Sequence, residues 1–111
     1  MARAEATLRS ARAFVLEAIH AAWASAEAGR EIPLEQRRDI RLAATHATHA
    51  CAQVVDRLYT LAGGSAVFTD SPLQRCLRNV HVATQHMMIA EATFELSGRL
   101  LLGLPTDAAM L

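Results

Sequence analysis

Lysine is absent from this chain of 111 residues; all 11 basic side chains are arginine, matched by 11 Asp and Glu for a formal net charge of zero. A neutral chain with no concentrated basic face lacks the electrostatic footprint of a nucleic-acid binder. No apolar run is long enough to span a bilayer. Aromatic residues make up only 5% of the chain, so few side chains bury much area each. Five glycines and three prolines leave long stretches without a breaker. Two cysteines, Cys51 and Cys76, are too few for a disulfide framework. They read as reduced core thiols of a cytoplasmic protein.

Small apolar residues are plentiful. Hydrophobic residues reach 52%, much of it alanine. That is enough for one domain over residues 1–111, with helices that approach closely but bury little area per contact. The opening, MARAEATLRSARAFVLEAIH, is rich in Arg and Ala, as organelle-targeting segments are. Glu5 and Glu17 break the acid-poor pattern such segments need, so it reads as an amphipathic helix of the domain.

Periodicity predicts four helices and no strand. The first covers residues 3–28, with Leu8, Val15, Ile19, Ala22 and Ala26 as its apolar stripe. AGREIPLE (28–35) ends it, Gly29 suiting a C-cap and Pro33 the approach to the next start. A second helix spans 34–62, with Leu42, His46, Ala50, Val54, Leu58 and Leu61 on one face. GGSAVFTD (63–70) stops it. Ser71 and Pro72 give an N-cap and a first-turn proline for a third helix to about Gln85, faced by Leu73, Leu77, Val80 and Thr84. MMIAEATFELSGRLLLG (87–103) is a fourth helix after a kink near Met88. The expected fold is an all-α antiparallel up-down bundle.

Several residues suggest chemistry. Glu17 and His20 form a Glu-x-x-His step, which in bundles supplies half of a di-iron site, but no second copy follows. His46, His49 and Cys51 suggest zinc, yet Cys51 is turned away from both histidines and no fourth ligand has suitable spacing. No metal is expected. Ser65 follows two glycines without the strand-turn-helix setting of a nucleophile elbow. AGGSAV matches neither a phosphate loop nor a dinucleotide fingerprint. Gly63 and Gly64 end a helix, and their bare backbone can also lie against a ligand. Arg75 and Arg78, one turn apart, could face an anion; His81 and His86 could exchange protons near neutral pH.

At this point the segment LYTLAGGSAVFTDSPLQRCLRNVHVATQH (58–86) resembles the C-terminal helical domain of the acyl-CoA dehydrogenase superfamily, most closely its flavin-dependent monooxygenase branch. The shared pattern is a long helix ending in Gly-Gly, a loop, a proline, an arginine followed by Arg-Asp or Arg-Asn, then Gln-His or Leu-His. RLAATHATHACAQVVD and ATFELSGRLLLGLP extend the likeness over most of the chain. The resemblance implies that flavin, FAD or reduced FMN, lies between this bundle and two further domains, one helical and one β. It also implies that the bundles pair in dimers or tetramers. Gly63, Gly64 and Ser65 would approach the flavin of a neighbouring subunit, and Arg78 and Gln85 would be cofactor-binding. Asn79 stands where many members carry Asp, so an ion pair made by that Asp is absent here.

The branch sets the expected chemistry. Dehydrogenases of the family use a glutamate base after this arginine helix. Its position falls near Met87, which accepts no proton, and Glu91 comes four residues late, about one turn or ~6 Å along the axis. His86 suits the monooxygenase branch instead, as a candidate catalytic group for proton transfer with a substrate hydroxyl or the oxygen-loaded flavin. The implied reaction is hydroxylation or oxidation of a small substrate with O₂ and reduced flavin from a separate reductase. The alternatives are a stand-alone, non-catalytic helical assembly module and an acyl-CoA dehydrogenase proper. Alone, the chain is expected to be inactive, because half a pocket cannot preorganise reacting groups.

Overall fold

A computed structural model describes residues 1–111. Four helices are present, as expected: α1 (Ala2–Glu27), α2 (Leu34–Ala62), α3 (Pro72–Thr84) and α4 (Ala92–Leu101), with a 3₁₀ turn at Gly63–Val67 and no strand; α4 begins at Ala92 rather than at Met87. Local chemistry explains the boundaries. Gly29 takes φ +71°, and the Arg30 N–H reaches back to the Ser25 carbonyl at 3.0 Å, a left-handed C-terminal stop. Pro72 opens α3 as expected, but the Ser71 side chain makes no capping bond; its carbonyl instead accepts from the Gln74 N–H at 3.2 Å.

The packing departs from a closed bundle. α2 touches every other helix, whereas α1 meets neither α3 nor α4, and α3 does not meet α4. Partners climb the chain after α3 while descending α2: His81 with Asp56, Ile89 with His49, Thr93 with Thr45. Thus α3 and α4 lie end to end along α2, separated by the irregular segment 85–91, where the kink was expected. Three rods result, α1 and the broken α3/α4 rod flanking α2. The shape is long, 51 × 26 × 22 Å, with a radius of gyration of 16.7 Å. A compact domain of 100 residues measures about 13 Å.

The buried stripe of α1 is only partly the expected one: Ala22 is buried and Val15 half-buried as part of it, but the rest differs. Ala4, Ala11, Ala18, Ala22 and Ser25 are buried, at steps close to a heptad, while Leu8, Ile19 and Ala26 are exposed. Because α1 contacts only α2, this small-residue seam is the α1–α2 interface. The larger apolar residues lie around the helix from it, and Trp23 is 68% exposed. On α2, one face was expected and two are used. Ala43, Ala50 and Val54 are buried on the side where His46 meets Phe14 of α1. Arg41, Thr45, His49, Ala52 and Asp56, each one turn apart, face the second rod. Leu61, expected in the core, is exposed. Cys51 is half-buried and Cys76 exposed, so neither is a fully buried core thiol. Only 14 of 111 residues are buried, which leaves Phe68, Val82, Met87, Leu101 and Leu102 among the exposed apolar side chains.

Candidate functional site

The glycine turn is built by the end of α2. Gly63 has φ +65° and ψ −147°, a conformation that costs an L side chain dearly, so its glycine is explained by the turn itself. Gly64 has no positive φ, and a Cβ placed on it would meet nothing within 4 Å. Nothing inside the chain requires glycine there. Ser65 spends its hydroxyl on the helix end, donating to the Ala62 carbonyl at 2.9 Å. The end of this turn is pinned by Gln74, whose Nε2 donates to the Val67 carbonyl at 3.1 Å.

Beyond the turn, one face of α3 lines an open groove of about 660 Å³, with Thr69, Gln74, Arg78, His81, Val82 and Gln85 among its walls. The residues recur at three- and four-residue steps, so a single helical face supplies nearly all of it. Arg78 and Gln85, two of the expected cofactor residues, therefore share one surface. Arg75, one turn before Arg78, does not line the groove. The Arg78 guanidinium makes neither a hydrogen bond nor an ion pair within the chain and stays exposed. His81 is held at the groove wall by Asp56 of α2, Nε2 to Oδ1 2.8 Å. Gln85 donates to the Thr84 hydroxyl at 3.2 Å, which itself donates to the His81 carbonyl at 2.7 Å.

His86 lies just past α3, exposed, and outside the lining of that groove. Its carbonyl accepts from the Ile89 and Ala90 N–H groups at 2.8 and 2.9 Å, and its Nδ1 accepts from the Met88 N–H at 3.2 Å. It follows Gln85 directly, so groove and histidine sit at consecutive positions along the second rod. His81 and His86 do not hydrogen-bond to each other; each has its own partner.

The metal-like constellations come apart. His46 faces α1, its ring 6.4 Å from that of Phe14, whereas His49 faces the second rod, 5.7 Å from Phe94 and 3.3 Å from the Ile89 carbonyl. Two neighbours that share a turn thus serve opposite interfaces. Asp56 and Arg41 were missed in the sequence. The signal was the spacing 41, 45, 49, 52, 56, a helical stripe of mostly polar residues that a search for apolar periodicity passes over.

An arginine-bearing helix thus stands behind a Gly-Gly turn, with a histidine just past its end. The chain belongs to the family described as acyl-CoA dehydrogenase, C-terminal domain, whose model matches residues 1–91. Similar proteins include the indole-3-acetate monooxygenase of Pseudomonas putida, 38% identical over 103 residues, and that of Acinetobacter baumannii, 36% identical over 103 residues. Each match covers 93% of this chain and 26% of the relative. The crystal structure of the HsaA monooxygenase from M. tuberculosis superposes with a TM-score of 0.90 at 28% identity, over 99% of this chain and 29% of that one. The chain thus spans about a quarter of the length of the relatives it matches. No helix is long and apolar enough to cross a membrane.

Proposed function

We propose that this chain, as one domain over residues 1–111, forms the C-terminal wall of a flavin-dependent monooxygenase. The observation that carries the proposal is the pair Gly64 and Arg78. One is a glycine with no internal reason to be glycine, the other a guanidinium with no partner in the chain. Both make sense against a flat, anionic group that comes from outside. A bare backbone admits close approach, and arginine suits phosphate and ring oxygens through its planar fork. Flavin, as FAD or reduced FMN, fits these residues and would supply the activation of O₂.

In this reading Gly63, Gly64 and Ser65 approach the flavin, Arg78 and Gln85 hold its polar edge, and His86 faces the oxygen being handled. Met87 stands where the dehydrogenase branch keeps its glutamate base, which supports the monooxygenase branch. The remaining binding surface comes from an N-terminal helical domain and a β domain, and reduced flavin from a separate reductase in the cytoplasm. The exposed apolar side chains support packing of the bundle into a homodimer or homotetramer, the role it would keep if it were an assembly module alone.

The upstream reading frame tests the proposal directly. A frame running through the Met1 codon from flavin-binding and β domains is the expected result; a stop codon and ribosome-binding site immediately before Met1 would favour the assembly module. In the longer protein, Arg78→Ala should weaken flavin binding about tenfold, the loss of one charge-assisted contact. His86→Ala should cut product formation while the oligomer, read by light scattering, stays intact.

A further inference from the structure

We propose that Arg41 is a positioning residue for His86: by fixing the Met88 backbone it selects the tautomer whose Nδ1 accepts from Met88 and whose Nε2–H points outward. The consequence for chemistry rests on the reading above, in which His86 faces the reacting oxygen; the contacts themselves do not.

The connection runs through one residue. Arg41, on α2, donates from Nη1 to the Met88 carbonyl at 2.9 Å and from Nη2 to the Met110 carbonyl. The N–H of the same Met88 points at Nδ1 of His86, 3.2 Å away. A backbone N–H can only donate, so Nδ1 must be the nitrogen with the free lone pair. In a neutral imidazole the single ring proton then sits on Nε2. The doubly protonated ring would set its own Nδ1–H against the Met88 N–H, two donors facing each other. To take a proton at Nε2 from a substrate hydroxyl, the ring would have to change tautomer and give up the Met88 bond. With Nδ1 engaged in this way, Nε2 can meet an oxygen only as a donor.

Two further ties keep the turn from adjusting freely. The His86 carbonyl accepts two backbone N–H groups, and His49 of α2 lies against the Ile89 carbonyl at 3.3 Å. Arg41 is suited to its task because a planar guanidinium can serve two carbonyls from separate segments at once, which an ammonium on a flexible stem does with less constraint. None of this depends on a substrate or on flavin, so it can be read in the 111-residue chain.

The experiment is ¹⁵N-detected NMR of that chain. In the unaltered protein, the neutral His86 ring should show an unprotonated Nδ1 and a protonated Nε2, and the Met88 amide signal should shift as the ring takes up its second proton. The Arg41 Nη signals should be resolved from one another, since hydrogen bonds to fixed carbonyls slow rotation of the guanidinium. Arg41→Gln should uncouple the Met88 amide from the titration of His86 and leave the ring a mixture of tautomers, with Arg41→Lys between the two. An Nδ1-protonated ring in the unaltered chain would overturn the proposal, as would averaged Arg41 Nη signals or a Met88 amide still coupled to His86 in a folded Arg41→Gln chain. If Arg41→Gln does not fold, the signals of the unaltered chain still decide. Turnover of His86→Ala in the longer protein, measured separately, tests the site reading: loss of product with these signals present supports both, and unchanged turnover sinks the site reading without moving the signals.

Discussion

The two interfaces of α2 are made by different means. Against α1 it presents a seam of alanines, met by the alanines and Ser25 of α1; against the α3/α4 rod it presents Arg41, Thr45, His49 and Asp56, each hydrogen-bonded or ion-paired across. The first interface is made mainly by small side chains, with the Phe14–His46 ring pair and a long Arg57–Thr7 hydrogen bond of 3.4 Å beside the seam. The second is specific at each step, since a polar side chain one turn out of register loses its partner. Of the residues proposed to meet flavin, Arg78, Gln85 and His86 are carried by the rod on the specific side, and Gly63, Gly64 and Ser65 by the turn at the end of α2. A small-residue seam supplies cohesion through proximity, about 0.8 kcal/mol for each buried CH₂-sized group, and a polar ladder supplies register.

The largest effect should come from filling the seam. Ala11 is 1% exposed, and α1 has no contact other than α2. Ala11→Leu forces the two backbones apart and should cost about 1–3 kcal/mol, a fall of several degrees in Tm by circular dichroism. The same change at exposed Ala13 should be neutral to within about 0.5 kcal/mol. If the two variants melt together, the seam is not what holds α1.

Next in size is the buried step of the ladder. The Thr45 and Thr93 hydroxyls lie 2.6 Å apart, and each also reaches a backbone carbonyl, Arg41 at 3.0 Å and Ala90 at 2.8 Å. Two hydroxyl protons are available for three contacts, so at any moment one hydroxyl donates to the other and the other to its carbonyl; removing one hydroxyl leaves the other with its carbonyl. Thr45→Val should then cost about 1 kcal/mol, and Thr45→Val with Thr93→Val less than the sum of the single changes. Strict additivity in denaturant unfolding would show the pair to be uncoupled. Ser97 runs the other way. It is fully buried, and its hydroxyl has no partner. Ser97→Ala should stabilise by up to about 1 kcal/mol, because an unsatisfied buried hydroxyl carries an uncompensated desolvation cost. A drop in Tm would mean the hydroxyl is engaged after all.

Much of this was legible in the sequence and some was not, for physical reasons. Helix ends were readable because Gly29, Gly63 and Pro72 act through their own backbones. The buried stripe of α1 was misread because periodicity weights large apolar residues, and here Leu8, Ile19 and Trp23 stay outside while alanines go in. A chain that keeps its large residues for other surfaces inverts the usual sign of that signal. The second face of α2 was invisible for a related reason: its partners are carbonyls and hydroxyls, which leave no hydrophobic pattern. Among site residues, spacing suggested that Arg75 and Arg78 share a face, whereas the groove takes Arg78 with Gln85 two turns on. The separation of Arg75 from their groove, and the tie from Arg41 through Met88 to His86, depend on how the rods are rotated and on a turn with no repeating geometry.

The smallest effect should come from the exposed end of the ladder. Asp56 and His81 meet at 2.8 Å with side chains 49% and 51% exposed, so water and salt compete for both. Asp56→Asn keeps an oxygen that can accept from the imidazole and removes only the charge. It should cost no more than about 0.5 kcal/mol, and 0.5 M salt should narrow the difference from the unaltered chain further. Asp56→Ala, which removes the acceptor as well as the charge, separates the two functions assigned to the interfaces. If polar contacts set register and the alanine seam supplies cohesion, Asp56→Ala leaves Tm nearly unchanged while the amide signals of groove residues such as Arg78 and Gln85 move, because their helix has lost a fixed reference on α2. A loss of stability as large as that of Ala11→Leu would reverse the assignment. The second rod would then be held by its charges, and flavin contacts on α3 would be expected to weaken steeply with salt.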